Sequence, residues 1–327
     1  MKYRTLGKTG IKVSEIGFGA WAIGGTWGEV NDDESRKTLH AAVESGINFF
    51  DTADVYGDGR SERLIGELKK EYGDQIHVAT KAGRRLNPHI AAGYNYKNIK
   101  GFVERSLKNL NLKEIELLQL HCPPWEVYYN PELFNSMDKL KEEGLILNYG
   151  VSVEKVEEAI KASEYPGVST VQIIFNMFRQ RPSDYFFELA EKRNIGIIAR
   201  VPLASGLLTG KFKGTEEFEG DDHRRFNRNG EAFDRGETFA GVDFNLGIRT
   251  VNELKQFLPS GFTMTEFALK WILMHKQVST VITGAKRVTQ IKENATASDM
   301  PDLNDDTMKV VEQVYTKEIK PLVHQYW

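Results

Sequence analysis

The stretch Ile47-Asn-Phe-Phe-Asp51-Thr-Ala-Asp-Val-Tyr56 is a short apolar run that stops on a carboxylate, with a phenol a few residues later. The same pattern recurs down the chain. Ile-His-Val-Ala-Thr (76–80) stops at Lys81, and Glu-Leu-Leu-Gln-Leu (116–120) stops at His121. A strand that ends in a titratable group presents it at the carboxyl edge of a sheet, where α/β proteins bind their ligands. Carboxylate, phenol, ammonium and imidazole converging on one pocket make a proton-transfer set suited to general acid catalysis.

Working outward, each run is followed by an amphipathic helical stretch. Glu-Ile-Gly-Phe-Gly (15–19) leads into a helix over about 32–45, whose acidic first turn (Asp32, Asp33, Glu34) suits the macrodipole. Further helices are expected from about Ser61, where Ser-Glu-Arg-Leu sets up an N-cap, across about 97–109, and from Pro131 to Glu143 with Gly144 closing it. Strand ends fall at Gly19, Asp51, Lys81, His121, Ser152, Gln172, Arg200 and Gly284. Eight such units predict an α/β fold, a single (β/α)8 barrel spanning residues 1–327, for which ~250 residues is typical. The excess lies mainly at 204–247, a Gly-, Asp-, Glu- and Arg-rich stretch read as a long loop insertion over the barrel mouth, before the last barrel units. Tyr-Arg-Thr-Leu and Ile-Lys-Val-Ser, around Gly-Lys-Thr-Gly, predict an N-terminal β-hairpin. An amphipathic helix from about Asn304 leads to Trp327.

Composition narrows the class. Of 327 residues, 40% are hydrophobic and 27% charged, as in a soluble globular protein. A net charge of −3 gives no pull toward nucleic acid or anionic membrane. The one cysteine, Cys122, excludes an internal disulfide framework and a cysteine-rich zinc site. With no apolar signal core and no run near ~18 apolar residues, the expectation is a soluble, cytoplasmic protein with no membrane, metal or nucleic-acid partner.

Phe-Asp-Thr-Ala-Asp-Val-Tyr-Gly (50–57), Ala-Thr-Lys (79–81), Leu-Gln-Leu-His (118–121), Gly-Val-Ser (150–152), Pro-Leu-Ala-Ser-Gly-Leu-Leu-Thr-Gly-Lys (202–211) and Gln-Ile-Lys-Glu-Asn (290–294) together resemble the aldo-keto reductase superfamily, in its order and from end to end. The subgroup it is most similar to is that of bacterial general-purpose reductases. The resemblance implies an oxidoreductase that transfers hydride from NADPH, with NAD as a second candidate, to an aldehyde, ketone or sugar-derived carbonyl. Tyr56 would donate the proton. Lys81 would lower the phenol's pKa from ~10, Asp51 would keep Lys81 charged, and His121 would hydrogen-bond the substrate oxygen. The nicotinamide would lie across the mouth, past Gly19, with its carboxamide on Ser152 and Gln172. Leu203, Ser205, Gly206 and Lys211 would wrap the pyrophosphate. Lys286 and Arg287, directly after Gly284-Ala285, would meet the 2′-phosphate, while Gln290 and Asn294 would reach the adenine.

Three features depart from that pattern. Arg200 stands where many members stack a tyrosine on the nicotinamide, and would add positive charge beside the ring. Val153 replaces an asparagine after Ser152. Most of the basic phosphate contacts of eukaryotic members are missing, which leaves the NADP preference moderate. Gly17-Phe-Gly19 with Gly24 and Gly25 has the wrong spacing for a Rossmann glycine loop. Trp21, Trp27 and Trp125 are expected to wall the substrate pocket, and Arg224 or Arg225 to clamp the cofactor phosphates. Cys122 follows His121, and strand alternation would turn its thiol away from the pocket. Two other functions fit the same residues: a Schiff-base barrel built on Lys81, and a non-enzymatic cofactor-sensing subunit.

Overall fold

Alternation along the apolar runs closes the sheet. The computed structural model describes residues 1–24 and 31–327, so Trp27 lies outside the described residues. Two short antiparallel strands, β1 (Tyr3–Thr5) and β2 (Lys12–Ser14), form the predicted hairpin. Eight parallel strands follow: β3 (Ile16–Gly19), β4 (Phe49–Asp51), β5 (His77–Ala82), β6 (Ile115–His121), β7 (Ile146–Ser152), β8 (Val168–Ile174), β9 (Gly196–Arg200) and β10 (Val278–Gly284). They close into a barrel in chain order, with β10 beside β3. This is the expected (β/α)8 architecture.

Period-two alternation then stacks the inward side chains in layers. Phe49, Ala79, Leu117, Ile198 and Ile282 form one apolar layer, capped from below by Leu6 and Val13 of the hairpin. Burying each large member contributes about 1.5–3 kcal/mol. Two residues further along the same strands come Asp51, Lys81, Gln119, Arg200 and Gly284. The layer that closes the barrel floor therefore also fixes which residues face its mouth. Two predicted strand ends shift in detail: Lys81 is followed by Ala82, and β8 runs two residues past Gln172.

The helices follow their caps. Asn31 accepts from Asp33 N ahead of α1 (Asp32–Glu44), and Asn95 caps α3 (Tyr96–Leu110). Pro131 opens α4 (Pro131–Glu142), which Gly144 ends at φ +72°. The expected Ser61 cap is corrected. Left-handed Gly59 precedes α2 (Arg60–Tyr72), and buried Ser61 instead meets the Thr52 hydroxyl at 2.7 Å, tying the helix to the end of β4. α5 (Val156–Ala162) and α6 (Phe186–Lys192) complete the first six units.

Residues 201–243 are a chain of single turns, including α7 (His223–Phe226), before α8 (Phe244–Leu254) and α9 (Met264–Leu273). This is the expected insertion, and it folds back over the mouth. After α10 (Val288–Thr296), Asn304 caps α11 (Asp305–Val314). Trp327 is buried, with the Arg179 guanidinium 3.9 Å above its ring and its Nε1 donating to Asp234 Oδ1 at 2.8 Å. The tail thereby pins the insertion. Among the described residues no helix is long and apolar enough to cross a membrane.

Candidate active site

Asp51 is the hub of the barrel mouth. It accepts from Lys81 Nζ at 2.5 Å, from Gln119 Nε2 at 2.9 Å and from Gln172 Nε2 at 2.8 Å. Lys81 Nζ also donates to Thr52 O at 2.9 Å and lies 3.4 Å from Tyr56 Oη. The Tyr56 ring meets His121 edge-on, centroids 5.9 Å apart. The four groups, three at strand ends and Tyr56 in the loop after β4, thus meet in space. Gly57 makes this possible: at φ +59°, an added Cβ would stand 1.9 Å from Gly24 O, so only glycine lets the Tyr56 loop settle there.

Burial and charge set the protonation states. Burial pulls the Lys81 ammonium down, but Asp51 and Tyr56 more than offset it, so its pKa rises and it stays charged. For Tyr56 the expectation is corrected. Burial raises the phenol and outweighs the lowering by Lys81, so the net direction is upward. Without Lys81 it would rise further. Burial, then Arg84, Lys81 and Arg200, hold His121 well below the usual imidazole range. His121 is therefore held neutral, and its buried Nδ1 meets no partner among the described residues.

Asp51, Tyr56 and His121 line a cavity of about 330 Å³, walled also by Gly19, Trp21, Ser152, Gln172, Arg200, Gly284 and the insertion, while Lys81 stays off its wall. Both amide N–H bonds of Gln172 are committed, to Asp51 and to Gln119 Oε1 at 3.0 Å. Gln172 can therefore offer a ligand only Oε1, an acceptor for a carboxamide N–H, while the Ser152 hydroxyl can donate to its oxygen. That donor set fits a nicotinamide.

The proposed phosphate end is more mixed. Leu203, Gly206 and Lys211 line the cavity, with Lys211 also paired to Glu293 at 3.1 Å. Ser205 lines it too, but its hydroxyl is occupied, donating to Glu237 O at 3.2 Å and accepting from Phe239 N at 3.1 Å. Its side chain holds the insertion down. Arg224 faces the cavity and pairs with Asp222, whereas Arg225 reaches out to Phe218 O. Gln290 lines the cavity while its Oε1 caps α10, accepting from Lys286 N and Arg287 N. Lys286, Arg287 and Asn294 lie outside the cavity wall; Asn294 is one turn further along α10 and buried.

Three other expectations change. Trp21 stands on the cavity, stacked on Tyr56 with centroids 6.4 Å apart. Trp125 does not: past Pro123 and Pro124 the chain turns outward, and Trp125 is 58% exposed against Tyr129 on a separate shallow depression. Cys122, at φ +45°, escapes strand alternation and lines the same cavity as His121. Burial drives its thiol pKa up, so it offers no thiolate. Arg200 is held in an ion network, 2.7 Å from Glu154 and 3.7 Å from Glu237, rather than presenting an unopposed charge. Gln119, Arg84, Glu154 and Glu237 escaped the sequence reading. Only Gln119 had a signal, its place two residues before His121 on the same strand face.

Comparison with known proteins agrees with this geometry. A model of the Aldo/keto reductase family matches residues 15–316. The chain is 33% identical to the aldo-keto reductase YhdN of Bacillus subtilis, covering 89% of this chain and 87% of that protein. It is 32% identical to a probable voltage-gated potassium channel subunit beta of Arabidopsis thaliana, covering 98% of each. The glycerol dehydrogenase of Gluconobacter oxydans superposes with a TM-score of 0.79 at 28% identity, covering 97% of this chain and 96% of that one. The chain belongs to the aldo/keto reductase family.

Proposed function

We propose that this protein is an oxidoreductase that reduces the carbonyl of an aldehyde, ketone or sugar-derived substrate with NADPH, and accepts NADH less readily. The observation that carries this reading is the Tyr56 hydroxyl, 3.4 Å from a buried ammonium, facing a cavity whose floor offers a carboxamide-shaped donor and acceptor. Ser152 and Gln172 would hold the carboxamide, the Leu203–Lys211 segment with Arg224 the phosphates, and Gln290 the adenine side. When bound, NADPH supplies the hydride.

The chain's own residues supply the rest. His121 Nε2–H orients the substrate oxygen, and Tyr56 Oη gives it a proton as negative charge builds there. Lys81 stabilises the phenolate left behind, and Asp51 holds Lys81 charged and in place. Trp21 shields the reacting end from water. Similarity to a protein named glycerol dehydrogenase supports small polyhydroxylated substrates.

A cofactor-sensing subunit is the second reading, favoured by the likeness to the plant channel subunit. A Schiff base on Lys81 is disfavoured, because Asp51 keeps the amine protonated and non-nucleophilic. The test is oxidation of NADPH and of NADH against a panel of aldehydes, ketones and sugars. Multiple turnovers support the reductase. Cofactor binding without turnover on any substrate supports the sensor, and borohydride trapping of a substrate adduct on Lys81 would sink both.

A further inference from the structure

Next to the reacting groups lies an ion cluster that the chemistry above does not use. Arg200, 7% exposed at the end of β9, donates through Nη2 to Val153 O at 3.0 Å and to Glu154 Oε2 at 2.7 Å. Its Nη1 lies 3.7 Å from Glu237 Oε1, and Glu237 also accepts from Arg84 Nη1 at 3.1 Å. Glu237 comes from the insertion, Arg84 from the segment after β5 and Glu154 from the segment after β7, so the cluster joins three walls of the mouth. Glu154 and Glu237 bring carboxyl oxygens within 4.8 Å of each other beside Arg200.

Two carboxyls this close inside a protein resist ionising together, because like charges in a low dielectric repel strongly. Glu237, between two guanidiniums, is the carboxylate; burial and Glu237 push Glu154 up, to about 8, against the pull of Arg200. The other groups facing Glu154 are Arg84, Arg179 and the neutral Cys122 and Tyr128, with Asp234 of the insertion adding to the upward push. Near neutral pH, then, Arg84, Arg200, Glu237 and Glu154 together carry one net positive charge. Above the range where Glu154 ionises they carry none.

Arg200 and Glu237 are the members that reach the cavity. If Ser152 and Gln172 take the carboxamide, the nicotinamide ring lies beside Arg200, since β9 is the next strand round from β8. Oxidation adds a positive charge to that ring and changes nothing else in the dinucleotide.

We propose that Arg200 sets the enzyme's discrimination between reduced and oxidised cofactor, and that the proton on Glu154 tunes it. This rests on the reading of the cavity as a nicotinamide site. The positive cluster repels the oxidised ring, so reduced cofactor binds preferentially and oxidised cofactor leaves after turnover. Loss of the Glu154 proton neutralises the cluster and relaxes the preference. The preference thus favours carbonyl reduction at neutral pH and alcohol oxidation at alkaline pH.

The test is fluorescence titration of the intact protein with NADPH and with NADP⁺ from pH 6.5 to 9.5. Titration of the 2′-phosphate affects both forms alike and cancels in the ratio. The Kd ratio of NADP⁺ to NADPH is expected to fall by at least about tenfold over this range, since one unit charge within about 12 Å of the ring at an effective dielectric near 20 contributes that much or more. Glu154→Gln, which imitates the protonated acid, should hold the ratio high at all pH values. Arg200→Gln should hold it low. Both substitutions alter the same Arg200–Glu154 contact, so a purely structural role predicts shifts in the same direction. A pH-independent ratio in the parent protein would overturn the proposal even if neither variant folds, as would parallel shifts in the two variants. Failure of the parent to bind NADPH would reject the cavity reading itself, a separate result from NADPH binding with an unvarying ratio.

Discussion

Replacing Asp51 by Asn keeps the shape of the hub and removes its charge. Asp51 is 1% exposed and accepts from Lys81, Gln119 and Gln172. The amide oxygen can still serve both glutamines, which leaves an N–H₂ donor facing the Lys81 ammonium. Lys81 then keeps only Thr52 O and the Tyr56 hydroxyl. Removing one partner of a buried ion pair costs about 3–5 kcal/mol. Neutralising the lysine gives no easier escape, because taking a proton from a group of pKa ~10.4 at pH 7 costs about 4–5 kcal/mol. At ~2.1 cal/mol/K per residue, that penalty lowers the melting temperature of a chain this size by about 4–7 °C. Tyr56 also loses its cationic support, so turnover should fall on the order of 100-fold. Urea unfolding followed by fluorescence reads the first effect, and single-turnover oxidation of NADPH reads the second. A variant within 1 kcal/mol of the parent, turning over at the parent rate, would refute the hub.

Three further outcomes are expected. Gln119→Leu removes the donor to Asp51 and the acceptor for Gln172, so it should destabilise by about 1–3 kcal/mol and lower kcat more than cofactor affinity; a pure KM effect would argue against a positioning role. Trp125→Ala should leave KM and kcat within about twofold of the parent, and a large rise in KM would return Trp125 to the substrate pocket. Asp54, fully buried with both oxygens unpartnered among the described residues, is pushed up to about 7 by burial and then Glu62. The unfolded chain releases this proton near pH 4 and the fold keeps it until about 7, so its contribution to stability falls as pH rises across that window. Asp54→Asn should remove about 2–3 kcal/mol of that dependence between urea melts at pH 5 and pH 8; identical pH profiles would contradict it.

The barrel and its reactive centre were legible because one rule serves both. Residues that alternate into the barrel close its floor at Phe49, Ala79 and Leu117, and the same alternation two places on delivers Asp51, Lys81 and Gln119. Gln119 was nevertheless overlooked, because a glutamine inside Leu-Leu-Gln-Leu carries no chemistry of its own until Asp51 is beside it. Alternation also misled at Cys122, where a left-handed backbone after β6 turns the thiol back to the cavity. Trp125 failed for a related reason: its distance from a strand end says nothing once two prolines redirect the chain. The Arg84–Glu237 and Arg200–Glu237 pairs depend on how the insertion folds over the mouth, and an irregular loop has no periodicity to read.

The central claim is that Tyr56 is the acid of a carbonyl reduction, and Tyr56→Phe tests it most directly. NADPH affinity, read by fluorescence titration, should stay within about twofold, while the single-turnover rate of NADPH oxidation with an aldehyde falls by at least about 100-fold. An aldehyde reduced by the phenylalanine variant at the parent rate would contradict the account.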